Sequence, residues 1–220
     1  MVFRDIALSR RTGMRVHFQH LSTAGAVDLV RRAKADGLPV TAEATPHHFT
    51  LTHAEVASYD PVFKVNPPLR TDADVAAVRQ GLADGTIDAI ATDHAPHTVD
   101  AKEVPFDAAP CGMLGLETAL ALGITELVEP GIVSMQELLA LLSWNPARIA
   151  GIDDVQGRDV APGEPAHLVV FDPTLEWTVD PAQFASKSDN TPYRGRVVHG
   201  KVRHTLLCGV PTVADGRACR

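Results

Sequence analysis

Seven of the chain's ten histidines fall between His17 and His97, and they stand in company that can do chemistry. Three runs carry six of them: His17-Phe18-Gln19-His20, Thr45-Pro46-His47-His48 and Thr92-Asp93-His94-Ala95-Pro96-His97. Neutral imidazole and carboxylate are good zinc ligands, and a zinc with one open coordination position is a catalytic one. Water bound there loses a proton near neutral pH and becomes a nucleophile. A carboxylate beside it can carry protons between the reacting atoms. Taken singly, each run also has an ordinary structural reading. His17 and His20 are three apart, so on a strand they point to opposite faces and only one can look inward without a distortion. His47 and His48 are adjacent and again diverge, which leaves them as supporting or loop residues. Asp93 could cap a helix or shape a loop. The prolines of Lys64-Val65-Asn66-Pro67-Pro68-Leu69-Arg70 stiffen a loop that could present Asn66. It is the recurrence of such runs at successive strand ends that points to a metal hydrolase.

The elements that must position these residues alternate. Helical periodicity over 4–11, from a Ser22 or Thr23 cap to about 36, and over 72–84 is punctuated by Gly13, Gly37 and Gly85, and strand-like stretches cover 15–20, 38–44 and 87–92. Strand–helix alternation of this kind predicts parallel βα units, in which working residues come from the C-terminal ends of strands. Helices follow over 116–128, 134–142 and 146–150, the second with Ser134 and Glu137 spaced as a capping box. Beyond about residue 152 the composition turns to Val, Gly and Pro. Strands are expected over 166–171, 194–199 and 201–207, with Gly200-Lys201 as a turn. The expected division is therefore 1–152, a partial barrel carrying the strand-end residues, and 153–220, a small β module.

Composition narrows the function classes. The chain has 220 residues, 45% hydrophobic and 21% charged, which is ordinary for a soluble globular protein. Its uncharged stretches are broken well before the roughly 20 apolar residues of a membrane helix. Twenty Lys and Arg against 27 Asp and Glu give a formal charge of −7, which argues against a large nucleic-acid footprint. Three cysteines at unrelated spacings imply neither a disulfide framework nor a cysteine zinc finger, so a cytoplasmic setting is expected.

With those motifs in hand, the sequence resembles the bacterial type I dihydroorotases of the amidohydrolase superfamily. The likeness runs in order through His17–Thr23, Glu43–His48, Lys64–Arg70 and Ala91–His97. It continues through Pro110-Cys111-Gly112-Met113-Leu114-Gly115-Leu116-Glu117-Thr118 and Asp189-Asn190-Thr191-Pro192-Tyr193. The resemblance implies the C-terminal portion of a TIM-type (β/α)8 barrel plus a small β-sandwich. It implies His20 and Asp93 as zinc ligands, Asp93 also as proton shuttle, and two zinc ions per complete site. Asn66 and His97 would contact substrate, His97 near its carboxylate, while main-chain groups of Cys111 and Gly112 would hold the pyrimidine ring. The implied reaction interconverts N-carbamoyl-L-aspartate and dihydroorotate in pyrimidine synthesis. Hydantoinases and allantoinases share the metal logic but commonly replace the Pro-His-His run and the His of Asp-His-Ala-Pro-His, both present here. A non-catalytic partner of aspartate carbamoyltransferase is a third reading, and a homo-oligomer is compatible with each.

The same resemblance implies an N-terminal half that this chain does not contain. A complete barrel takes about 250 residues, whereas only three βα units precede the β module. The His-X-His pair, the bridging carboxylate or carboxylated lysine, a further histidine ligand and the pocket arginine are not found. Two ligands fall short of the three protein ligands of a catalytic zinc. The chain alone is therefore expected to be inactive and poorly folded, with an unpaired sheet edge and an uncovered apolar face.

Overall fold

The computed structural model describes residues 1–219. Helix α1 spans Val2–Thr12 and ends at Gly13, and strand β1 is Val16–Phe18. Helix α2, Ala24–Ala35, begins where the Thr23 hydroxyl accepts a bond from the Ala26 N–H, and it buries Val27, Val30 and Ala33. Strand β2, Val40–Ala44, is followed at once by the short helix α3, Pro46–Thr50. Helix α4, Asp72–Ala83, opens with a capping box in which Thr71 and Asp74 satisfy each other's backbone N–H groups. Strand β3 is Ala89–Ile90 and helix α5 is Val99–Lys102.

The three strands form a parallel sheet in the order β1-β2-β3, with Val16 opposite Val40, Phe18 opposite Ala42 and Ala44 opposite Ile90. Alternation along each strand sorts the side chains. Phe18, Val40, Ala42, Ala44 and Ile90 join the core with Val27, Val30, Val78 and Leu82 of the covering helices. Complete burial of each Val, Leu, Ile or Phe side chain among them stabilises the fold by about 1.5–3 kcal/mol, and of an alanine methyl by less. The opposite face is polar. His17 bonds Thr41 Oγ1 through Nδ1 at 2.8 Å and Glu43 Oε2 through Nε2 at 3.0 Å. The sequence predicts an apolar open face; the register places His17, Thr41 and Glu43 there instead.

Helix α6, Ala119–Gly123, widens into a π-helical turn at Ile124–Val128. Helix α7, Met135–Leu139, carries the expected Ser134–Glu137 capping box and continues through a second π turn, Ala140–Trp144, into α8, Asn145–Ala150. The predicted helix at 116–128 thus starts three residues late, because residues 113–116 run beside the segment after β3 instead.

Strands β4 (Leu168–Thr178), β5 (Val197–Leu207), β6 (Val210–Ala214) and β7 (Arg217–Ala218) form one antiparallel sheet in that order. The expected sandwich is not found among the described residues. No second sheet covers these strands, and Val169, Val170, Leu207 and Val210 remain exposed. The expected turn at Gly200-Lys201 is absent too, since β5 runs through it. Gly200 (φ 94°) serves a close approach: a Cβ there would lie 2.4 Å from Ile124 Cδ1. Val179, Tyr193 and Val198 share a core with Leu51, Val65, Leu69, Met113 and Leu122, so the sheet is packed into the α/β part. Glu126, in the first π turn, binds Arg79 Nη2 at 2.6 Å and also Arg196, joining α4, α6 and the segment before β5. Among the described residues, no helix is long and apolar enough to cross a membrane.

Candidate functional site

His20 and Asp93, the two expected metal donors, sit beyond the ends of β1 and β3, and both adopt left-handed backbone (φ 38° and 45°). Non-glycine residues rarely occupy that region, and where they do the strain tends to coincide with function. At His20 it is the local distortion that the three-residue spacing from His17 demands. The two histidines then differ in chemistry: both ring nitrogens of His17 are engaged by Thr41 and Glu43. The His20 Nδ1 is buried without a partner.

His47 and His48 stand on α3, with Pro46 in its first turn. Their rings lie 4.4 Å apart at 56°. His48 is committed to structure. Its Nδ1 accepts from the Thr45 hydroxyl at 2.7 Å and its Nε2–H donates to Pro67 O at 2.9 Å. That bond ties α3 to the loop holding the exposed Asn66. Burial pushes the His48 imidazole down to about 4, partly opposed by the Pro67 bond, so the ring is neutral at pH 7. His47 is different. It is 2% exposed, its Nε2 has no partner, and burial followed by the nearness of His48 and His20 holds it well below the usual imidazole range. A buried, neutral imidazole with a bare nitrogen is costly unless something binds it. Adjacency to His48 in the sequence disguised this donor; both rings are buried, and only their hydrogen-bond partners separate their roles.

The donor set can therefore be tested against a metal. His20 and His47 each offer an unpaired buried nitrogen, and Asp93 an exposed carboxylate. Among the described residues, no three His, Cys, Asp or Glu side chains converge in a metal-binding group. These residues fit corners of a zinc shell and do not complete one by themselves.

The residues expected to hold substrate assemble more fully. Residues 111–115 run beside 93–97, where Ala95 N–H donates to Met113 O at 3.0 Å. Gly112 is buried with φ 126°, and a Cβ there would meet Ala95 Cβ at 2.5 Å and His97 Nε2 at 3.0 Å. His97 Nε2–H donates to Cys111 O at 3.0 Å. The Gly112 N–H bonds Lys64 O at 2.8 Å, placing this cradle against the Asn66 loop. Asn66 and Cys111 also line a cleft of about 820 Å³ with Tyr59, Phe63 and Phe106. The 103–110 loop closes one side: Lys64 Nζ donates to Asp107 O at 2.9 Å, and Phe106 meets Tyr59 edge-on at 5.9 Å.

One residue that the motif reading left without a role sits under the cradle. Asn190 is 5% exposed and bonds three of its strands' main-chain groups. Its sequence signal is only a polar residue inside the quoted 189–193 run.

The Amidohydrolase family model matches residues 3–210. A dihydroorotase of Pelotomaculum thermopropionicum is 54% identical over 98% of this chain and 50% of its own length. One from Streptomyces coelicolor is 51% identical over 99% and 50%. Among solved structures, an L-hydantoinase (dihydropyrimidinase) from Arthrobacter aurescens superposes with a TM-score of 0.92 at 29% identity, covering 100% of this chain and 49% of that one. A D-hydantoinase from a Bacillus sp. AR9 gives 0.94 at 26%, covering 99% and 49%. The chain spans about half the length of the curated relatives it matches.

Proposed function

The chain belongs to the amidohydrolase family, and we propose that it carries the substrate-holding part of a dihydroorotase site, with His20, His47 and Asp93 as its share of the zinc donors. The observation that supports this most is the cradle of His97, Cys111 and Gly112. Dihydroorotate is a small cyclic amide bearing a carboxylate, so its recognition needs a cation or donor for the carboxylate and main-chain groups for the ring edges. With Nε2–H committed to Cys111 O, His97 has only Nδ1 left for a ligand, and that nitrogen donates to a carboxylate only when the ring is an imidazolium. Having no Cβ, Gly112 lets its main chain pack directly against Ala95 and the His97 imidazole, which sets its peptide groups beside that ring. Asn66 approaches from the opposite loop. Hydrolysis adds oxygen to the ring carbonyl, breaks the amide C–N bond and delivers a proton to the departing nitrogen. Asp93, exposed at the strand end, is the group we assign to that proton. Generation of the attacking hydroxide belongs to the complete donor set rather than to this chain alone.

The test is a substrate panel on the chain assembled with the amino-terminal half of a related dihydroorotase. Dihydroorotate should be turned over far faster than hydantoin or allantoin, and His97→Ala should raise the KM for dihydroorotate at least tenfold. Preference for hydantoin, or no effect of His97→Ala, would overturn the assignment.

A further inference from the structure

We infer that Asn190 is a positioning residue that locks His97 and the Cys111–Gly112 main chain into one rigid recognition unit, and so couples the segment before β5 to the substrate carboxylate. The inference rests on the proposed dihydroorotase reading for its functional consequence, but its geometry stands apart. The Asn190 Oδ1 accepts from the His97 backbone N–H at 3.1 Å. Its Nδ2 donates to Ala95 O at 3.0 Å and to Gly112 O at 3.4 Å. Its own carbonyl accepts from the Leu114 N–H at 3.1 Å. One carboxamide thus satisfies groups on both parallel segments of the cradle, 95–97 and 112–114, using its acceptor and both of its donors' nitrogen. Neither segment is a long strand, and their direct tie is the Ala95–Met113 bond, so without this bridge they are weakly held at the height of His97.

The residue is itself anchored. The Thr191 N–H bonds Asp189 O at 2.7 Å, Tyr193 N–H donates to Thr191 Oγ1 at 3.3 Å, and the buried Tyr193 hydroxyl pairs with Thr50 Oγ1 at 2.8 Å on α3. The 189–193 segment is therefore fixed to the helix that carries His47 and His48. Asn190 touches no reacting atom; it acts by setting where His97 and Gly112 stand. An apolar side chain of the same size would leave the His97 N–H and two carbonyls buried and unpaired, which the site could relieve only by opening.

Two measurements test this. The first is amide exchange in the 220-residue chain assembled with the amino-terminal half of a related dihydroorotase and carrying Asn190→Ala. The His97 amide should exchange at least tenfold faster, while the Gly112 amide, bonded to Lys64 O, stays within threefold. An unchanged His97 amide would overturn the inference. Should Asn190→Ala unfold the chain, Asn190→Asp serves instead. It keeps the acceptor for His97 N–H and loses the donors, so exchange should rise at Met113 and Leu114 but not at His97; the reverse order would overturn the inference. The second measurement is a double-mutant cycle in the assembled protein. Asn190→Asp should raise the KM for dihydroorotate tenfold or more with kcat within threefold, and should add less than threefold on a His97→Ala background. Full additivity would show that Asn190 acts merely on the fold. If His97→Ala alone leaves KM unchanged, the dihydroorotase reading fails, and the exchange result still decides the positioning role.

Discussion

Gly112→Ala is the most demanding perturbation of the site, because a single methyl group meets three obstacles. The backbone sits at φ 126°, outside the regions an L side chain normally occupies, which costs about 1–3 kcal/mol. The new Cβ would stand 2.5 Å from Ala95 Cβ, a backbone-proximal atom with no rotamer to yield, and such overpacking adds about 1–3 kcal/mol. It would also stand 3.0 Å from His97 Nε2, the atom that donates to Cys111 O. Together these give a destabilisation of about 2–6 kcal/mol, and the imidazole has to leave its place. Urea unfolding of the variant chain assembled with the amino-terminal half should show that loss of stability, and the same assembly should lose affinity for dihydroorotate by more than tenfold. Ala95→Gly removes the closest contact but leaves the φ strain, so the double variant should recover part of the stability and not all of it. Stability within 0.5 kcal/mol of the parent, the usual tolerance for an unstrained surface change, would refute the reasoning from close approach. Full recovery by Ala95→Gly would refute the strain component alone.

Three further outcomes are expected. Gly200→Ala should destabilise the chain by about 2–4 kcal/mol, since its Cβ falls 2.4 Å from Ile124 Cδ1 at φ 94°; denaturant unfolding measures it, and Ile124→Val should return part of the loss. Glu126→Gln should cost about 1–3 kcal/mol, below the range for a fully buried pair because Arg79 and Arg196 remain about a third exposed; a double-mutant cycle with Arg79 reads the coupling. Asp74 is held below the usual carboxylate range, first by the Ala24 N–H and then by Thr71. Its folded value lies under its unfolded one, so it stabilises above the unfolded value and the contribution fades as pH falls through the folded one. Asp74→Asn should flatten the stability profile below about pH 4 and leave the region above pH 6 parallel to the parent.

How far the sequence reaches depends on the kind of information each feature carries. Local signals were legible: the Thr23 start, Gly13 stop and Ser134–Glu137 capping box depend on neighbours a few residues away. The parallel order followed from strand–helix alternation. Gly200 misled, because a glycine signals freedom of backbone without saying whether a turn or a close neighbour needs it, and Ile124 lies 76 positions away in the chain. The polar open face was missed because His17, Thr41 and Glu43 share a face only once the β1–β2 register is known. Of the site, Asn66, His97, Cys111 and Gly112 could be named from their motifs, and the structure draws His97, Cys111 and Gly112 together. His47 could not be told from His48 by order alone, and Asn190 acts across 93 positions, a separation at which no sequence period operates.

What we propose is that this chain holds one share of a divided dihydroorotase site, with the His97, Cys111 and Gly112 part of its substrate cradle and part of its metal shell. Dihydroorotate turnover tests it most directly, measured with zinc for the 220-residue chain alone and after mixing with the amino-terminal half of a related dihydroorotase. The account predicts no turnover by either piece and substantial turnover by the mixture, lost on His47→Ala or Asp93→Ala. Turnover by the chain alone, or an active mixture indifferent to His47 and Asp93, would contradict it.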